Sequence, residues 1–468
     1  MTIRRFNVGP TLLCLCLACL PIQAAPHADG EVRIEIVDSA TGQPIAARMH
    51  LSAGRPTGAA PTAKPRAKRP VNSNLPGSAE FGGHFYIDGS VTLPLKAGSY
   101  TFELEATPEY LNQPGQFEIQ RHADDTKRIE MKRFVDLEQE GWFGGDLDVH
   151  RNAKDVPLIL RAEGLQVVPN TDSEKTPDDS PLEVDGHSIA RTPYAWNLPV
   201  WLAGDKLDAI ELIHRHSLRE GVADNEDDGR PRDKSLFPGS RGNGRWSEAV
   251  YYHVLNCGLR MPPAAGSGSG ANDNPVGTNR VYVYCGEEFS AAAWWEGLQA
   301  GRVFVTNGPL LRPTVEGEPP GYVFPIEPGQ SLTLEIGLNL ATRVPVEYLQ
   351  IIKDGAVAAE VRLADWKNRK GKLPPVTFDE SGWFLVRAVT NNARSYQFAS
   401  TGPYYVEQAG RPRISKRSVQ FFLDWIAAAE ARLRKLPNLA EAQLADELAQ
   451  QEAARTFFTD LLAHANAE

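Results

Sequence analysis

The feature that most constrains this chain is a change of hydrophobic period along its length. Two blocks of period-two alternation bracket a middle block in which short apolar runs alternate with helical stretches. Alternation puts every second side chain on one face of a strand. In the first block Val32, Ile34 and Ile36 alternate with polar residues, Asp38-Ser39-Ala40-Thr41-Gly42 turns the chain, and Ile45, Ala47, Met49 and Leu51 alternate again. Val91, Leu93 and Leu95, then Tyr100, Phe102 and Leu104, repeat the pattern across the turn Lys96-Ala97-Gly98. Short strands split by turns predict an antiparallel β-sandwich over 30–138. Within it, residues 53–75, rich in Pro, Ala, Gly, Lys and Arg, predict an exposed loop.

The last β block, 313–410, carries Leu332, Leu334, Ile336, Leu338 and Leu340 in alternation, the run Tyr348 to Ile352 before the turn Lys353-Asp354-Gly355, and the run Trp383 to Val389. It predicts a second sandwich. Between them, over 139–312, Val156 to Gly164, Leu198 to Ala203 and Ala292 to Gly301 have helical character, and each precedes an apolar run: Leu165 to Val168, Leu207 to Ile213, and Val303 to Val305. That order predicts an α/β layer or barrel. Two irregular stretches, 219–245 and 262–279, interrupt it, and loops of that length are as a rule either functional or disordered. Residues 411–468 predict a helical tail: Phe422, Ile426, Ala429, Leu433 and Leu436 form one apolar face, Pro437 breaks it, and Asn438 with Glu441 makes a capping-box start for a last helix.

Residues 1–25 have the pattern of an export signal: Arg4 and Arg5, an apolar run from Leu12 to Leu20, then small residues to Ala25. That run falls short of the ~20 apolar residues a bilayer-spanning helix needs, and no later stretch reaches it. A periplasmic or secreted protein is expected. Cys16-Leu17-Ala18-Cys19 is a poor match to a bacterial lipobox, with Cys in place of Leu, so a lipid anchor at Cys19 is the lesser expectation. Beyond the signal only Cys257 and Cys285 remain; an oxidising compartment permits a disulfide, and two separate thiols are the simpler expectation. The net charge of −10 argues against nucleic acid as a partner.

Chemistry concentrates in the middle block. If Gly144 to His150 is a strand, Asp146, Asp148 and His150 point to one face, and carboxylate with imidazole two apart suits a metal. The plain alternative is a polar strand end. His214 and His216, on either side of Arg215, share a face if the strand Leu207 to Ile213 continues; a basic surface turn is the alternative. Glu211 has the opposite parity and joins His214 only if the strand twists or ends between them. Asp172 follows the run Leu165 to Val168, at a strand end where α/β folds bind ligands. His187 and His253 stand alone, and His253 is expected to pack on a helix. The run Gly266-Ser267-Gly268-Ser269-Gly270 lacks the apolar strand a serine elbow needs.

The stretch "GWFGGDLDVHRNAKDVPLILRAEGLQVVPNTD" resembles the opening of a PHP-like domain of the CehA/McbA-type metallohydrolases, and "YAWNLPVWLAGDKLDAIELIHRH", "GNGRWSEAVYYHVLNCGLRMPPAAGSGSG", "NPVGTNRVYVY" and "WWEGLQAGRVFVTNGPLLRP" continue the resemblance over about residues 140–315. "VDSATGQPIAAR" and "KAGSYTFELEA" resemble carboxypeptidase-regulatory-like sandwiches. The resemblance implies a multidomain α/β plus β protein: a PHP-like α/β barrel flanked by two β-sandwich domains and a helical tail. It also implies a divalent metal, zinc or manganese, and hydrolysis of an ester, amide or carbamate, or phosphoester bond in a small-molecule or glycan substrate. The family's first His stands here as Asp148, and its second matches His150. Its Thr-Asp-His becomes Thr171-Asp172-Ser173, and its late Gly-Ser-Asp-x-His becomes Gly266 to Gly270, so ligands are missing.

Two functions follow. In a hydrolase, Asp148, His150, His214 and His216 hold the metal, Asp172 orients or deprotonates the water, and Arg215 or Arg191 stabilises developing negative charge. In a catalytically degenerate binding module for a glycan or protein, Trp196, Trp294 and Trp295 offer a stacking platform.

Overall fold

The computed structural model describes residues 28–53, 83–169, 180–227, 229–437 and 439–468, with the backbone of the strands Arg69–Pro70 and Glu80–Phe81. The expected export signal, Cys19, most of the 53–75 loop, Asp172 and Asn438 lie outside the described residues. The fold is mostly β and multidomain, with several sheets and seven helices among the described residues. The helices are α1 (Val156–Glu163), α2 (Leu198–Ala203), α3 (Gly242–Asn256), α4 (Ala291–Gln299), α5 (Leu363–Asn368), α6 (Lys416–Leu433) and α7 (Glu441–Ala463). None of the described helices is long and apolar enough to cross a membrane.

Near the start of the described chain, Gly30–Asp38 pairs antiparallel with Ser90–Leu95 and parallel with Asp124–Met131. A second sheet is built on Ala46–Ala53, flanked by His84–Asp88 and Gly98–Glu105. The alternating residues of both sheets, Val32, Ile34 and Ile36 with Met49, Leu51, Phe102 and Leu104, share one core. Burial of each such side chain contributes ~1.5–3 kcal/mol, so the period-two pattern specifies which face turns inward.

The middle block forms an open parallel layer. His187–Ala190, Ala209–Ile213 and Pro263–Ala265 run side by side in parallel. The extended backbone after Trp142–Gly145 adds to it: Leu147 N–H donates to Ala265 O at 3.1 Å and His150 N–H to Ser269 O at 2.8 Å. On its other side Gly145 bridges Val167 in parallel, which is all the pairing made by the run expected as a strand at Leu165 to Val168. The helices α1, α2 and α3 connect successive members of this layer, and Gly164 ends α1 in the left-handed conformation. The sheets of the described residues run open, and none of them closes into a ring.

One larger sheet of nine strands passes from Trp142–Gly145 through Arg280–Tyr284, Val303–Thr306, Phe398–Thr401 and Gly382–Thr390 to Val346–Lys353 and Ala356–Arg362. It runs across the position expected for a domain boundary at 312. The alternating run 332–340 is two strands, Leu332–Leu334 and Ile336–Ala341, paired to different partners.

At the C-terminal end, α6 packs on α3 and α7, and α7 packs on α2. Phe422, Ile426, Ala429 and Leu433 are buried along α6 as the spacing predicts, whereas Leu436 lies past the helix end and is exposed. The helix α7 starts after Ala440 without a side-chain cap. Cys257 and Cys285 are both free thiols.

Candidate functional site

The carboxyl ends of the parallel strands meet around residues 146–150, 211–216 and 266–279, where α/β layers place their ligands. Asp146 is fully buried and ties two segments together: its carboxylate accepts from Ser267 N–H at 2.9 Å and Gly277 N–H at 2.7 Å. Burial pushes its carboxyl up to about 6, against the pull of those bonds.

Asp148 is also fully buried, and its oxygens are committed. Arg215 Nε donates to Oδ2 at 3.0 Å, Arg215 Nη2 lies 2.9 Å from the same oxygen, and His150 Nε2 lies 2.8 Å from Oδ1. Burial opposes ionisation, but the His150 bond and the Arg215 charge outweigh it and hold this carboxyl below its usual range. The sequence therefore brings Asp148, His150 and Arg215 together.

Glu211 completes the centre. The register between Ala209–Ile213 and Pro263–Ala265 shifts between Glu211 and Ile213. Glu211 ends beside Asp148, on the same strand parity as Arg215, while His214 of the opposite parity turns to α3. A Cβ on Gly266 would lie 2.3 Å from Glu211 Oε1 and 2.5 Å from the Asp148 Cβ, so close approach of the two carboxyl-bearing side chains requires glycine there. Glu211 is wholly buried and neither carboxylate oxygen has a hydrogen-bond partner. Burial first, then the charge of Asp148, pushes its carboxyl well above the usual range; Arg215 and Arg191 act in the opposite sense.

His214 and His216 make a second set of contacts. His214 Nε2 lies 2.9 Å from Ser247 Oγ on α3. His216 Nδ1 lies 3.0 Å from Asn225 O and 3.1 Å from the Tyr194 hydroxyl. The two rings are 5.3 Å apart, with Tyr194 edge-on to both. Asn243 Nδ2 donates to Tyr194 Oη, Asn225 O and Glu226 Oε1 at 2.9–3.1 Å. Tyr194, Asn243 and Ser247 escaped the sequence reading because they sit in apolar or helical surroundings with no motif of their own.

Most of the irregular stretch 262–279 lies in the interior, with Gly270, Ala271 and Asp273 at the surface. Ser267, Ser269 and Asn279 are wholly buried. Asn279 Nδ2 reaches His214 O at 3.0 Å and Gly266 O at 2.9 Å, and Asn272 Nδ2 reaches Arg215 O at 3.0 Å. Small residues there let the backbone enter the interior, and the asparagine side chains satisfy the carbonyls brought in with it.

Among the described residues, no group of three or more His, Cys, Asp and Glu side chains is arranged to hold a metal ion. The aromatic platform is also not formed. Trp294 is fully buried with Nε1 donating to Phe143 O, and Trp295 stacks on His187 at 4.2 Å, so both are core. Trp196 lies against Arg432 and packs on the core beneath α2 and α6. His253 stacks on Phe421 at 4.0 Å, the packing role its helix position predicts.

Fold and site together define a β-rich multidomain protein whose open parallel layer carries a buried carboxylate–arginine–histidine centre at its strand ends. Comparison with family models, curated proteins and solved structures finds no match for this chain.

Proposed function

We propose that this chain is an exported ligand-binding protein whose middle segment is a catalytically degenerate PHP-like domain. The observation that carries this reading is the Arg215 guanidinium, which bonds Asp148 in the manner a cation would. A divalent metal needs lone pairs that converge and are otherwise free. Here the described oxygens of Asp148 go to Arg215 and His150, and those of Asp146 go to backbone N–H groups. Arg215, His150 and Arg191 each act on Asp148 in the sense of a positive charge. The Asp146 and Asp148 oxygens are thus spent on groups of the chain itself, and that donor set does not fit a metal.

The second reading is the metal-dependent hydrolase, with Asp148, His150, His214 and His216 as ligands and Asp172 beside the water. One observation favours it: a wholly buried carboxyl, Glu211, with both oxygens unbonded. Orphaned oxygens of that kind are costly, and a cation would satisfy them.

Elemental analysis of protein purified without chelators, alongside the His150→Ala variant, separates the two. The binding reading expects substoichiometric zinc and manganese in both proteins and no turnover of aryl ester, carbamate or phosphoester probes. One equivalent of metal in the wild type, lost in His150→Ala, overturns it.

A further inference from the structure

A second cluster of buried charge lies away from the carboxylate centre. Three parts of the chain enclose a cavity of about 550 Å³: the first sandwich, the parallel layer and the C-terminal β region. Its size is that of sites that take small organic molecules.

Four arginines line it, Arg48, Arg219, Arg280 and Arg343, against two carboxylates, Glu105 and Glu163. The carboxylates are fully used. Glu105 pairs with Arg48 at 2.6 Å and with Arg219, and Glu163 pairs with Arg48 at 2.7 Å and Arg280 at 2.7 Å. Among the described lining residues, four positive charges against two negative leave an excess of two. Arg48 and Arg280 are both buried, at 8% and 5% exposure, so water does not screen this excess well.

The excess falls on particular groups. Arg343 donates to two carbonyls, Ala106 O at 3.2 Å and Thr107 O, and among the described residues it has no carboxylate partner. Burial, with Arg280 and Arg48 nearby, pulls its guanidinium down to about 10 despite the attraction of Glu105. Among the described residues Arg343 Nε, Arg219 Nη1 and Arg48 Nε are donors without an acceptor, and Gln397 Oε1 is an acceptor without a donor; all four belong to side chains that line the cavity but are themselves closed to solvent, so a ligand meets them once those side chains turn. Unsatisfied guanidinium donors are what an oxyanion satisfies, and an unsatisfied amide oxygen accepts from a hydroxyl.

We propose that this interdomain cavity binds a hydroxylated small-molecule anion, such as a sugar phosphate or sugar acid, with its anionic group against Arg343 and Arg219 and a hydroxyl donated to Gln397. The site uses none of the residues at 146–150 or 211–216, so it stands or falls separately from the metal question.

The test is calorimetric titration and thermal unfolding of the full chain, at fixed ionic strength, with glucose 6-phosphate, glucuronate, inorganic phosphate and glucose. At least one anionic sugar is expected to bind with a Kd of about 1 mM or tighter and to raise the unfolding temperature, while glucose does neither. Arg343→Gln is expected to weaken that binding about tenfold or more, and Arg343→Lys less. Should Arg343→Gln fail to fold, Arg219→Gln, at the more exposed end, replaces it. Failure of every anionic probe on the wild type at about 10 mM overturns the proposal, as does equal affinity for glucose and glucose 6-phosphate, or for phosphate and glucose 6-phosphate. Affinity unchanged in both arginine variants overturns the placement.

Discussion

The centre around Asp148 and the cavity around Arg343 are both made of guanidinium and carboxyl groups held away from water, yet their charges add up differently. Around Asp148, burial pushes Glu211 and Asp146 toward holding their protons, and Arg215 and Arg191 oppose that shift in Glu211. Around Arg343, cations predominate, and an arginine cannot discharge the imbalance by losing a proton near neutral pH. Buried carboxyls adjust their own ionisation, whereas buried guanidiniums need an external anion. The first region therefore closes on itself, and the second asks for a ligand.

Three substitutions probe that contrast. Arg215→Ala removes the guanidinium bonded to buried Asp148, and chemical denaturation should register a loss of about 3–5 kcal/mol. If the guanidinium acts in place of a cation, added zinc or manganese should recover part of that loss in Arg215→Ala and leave the wild type unmoved. Absence of any recovery would break the analogy between arginine and metal.

A smaller effect is expected of Glu211→Gln, read as a change in pH dependence. A carboxyl whose folded pKa is raised contributes stability that is fully present below its unfolded value and is lost as pH rises through the folded value. Asp146 adds the same sense between its ordinary 3.8 and about 6, and Asp148, held low, adds the opposite sense only as pH falls through its folded value. Wild-type stability should thus fall as pH rises from 4.5, the ordinary value for a glutamate, to above the value of about 6 at which Asp146 titrates, and Glu211→Gln should flatten that fall. Urea midpoints at the two pH values measure it; an unchanged slope would mean that Glu211 is ionised in the folded chain.

The smallest effect belongs to a control at the surface. Arg161 bonds Asp88 at 2.7 Å, joining α1 to the first sandwich, with both side chains more than half exposed. Arg161→Ala should cost about 0.5 kcal/mol or less, since water solvates either partner alone. A loss comparable to that of Arg215→Ala would show that burial is not what sets the two charge clusters apart.

The sequence by itself determined the local elements. Period two in Val32 to Ile36 and the stripe Phe422 to Leu433 specify which faces are buried, because that choice depends only on side chains a few residues apart. It also singled out Asp148, His150 and Arg215, three groups that meet at hydrogen-bond distance. Tertiary structure alone decided the rest. The approach of Glu211 to Asp148 depends on Gly266 from a distant segment, and a Gly-Ser-Asn stretch with loop composition became interior because Asn272 and Asn279 supply donors to distant carbonyls. Arg48, Arg219, Arg280 and Arg343 are far apart in sequence and carry no motif. Their unbalanced charge exists only where three folded parts meet, because electrostatic energy depends on distance in space and on exclusion of water, and local pattern encodes neither.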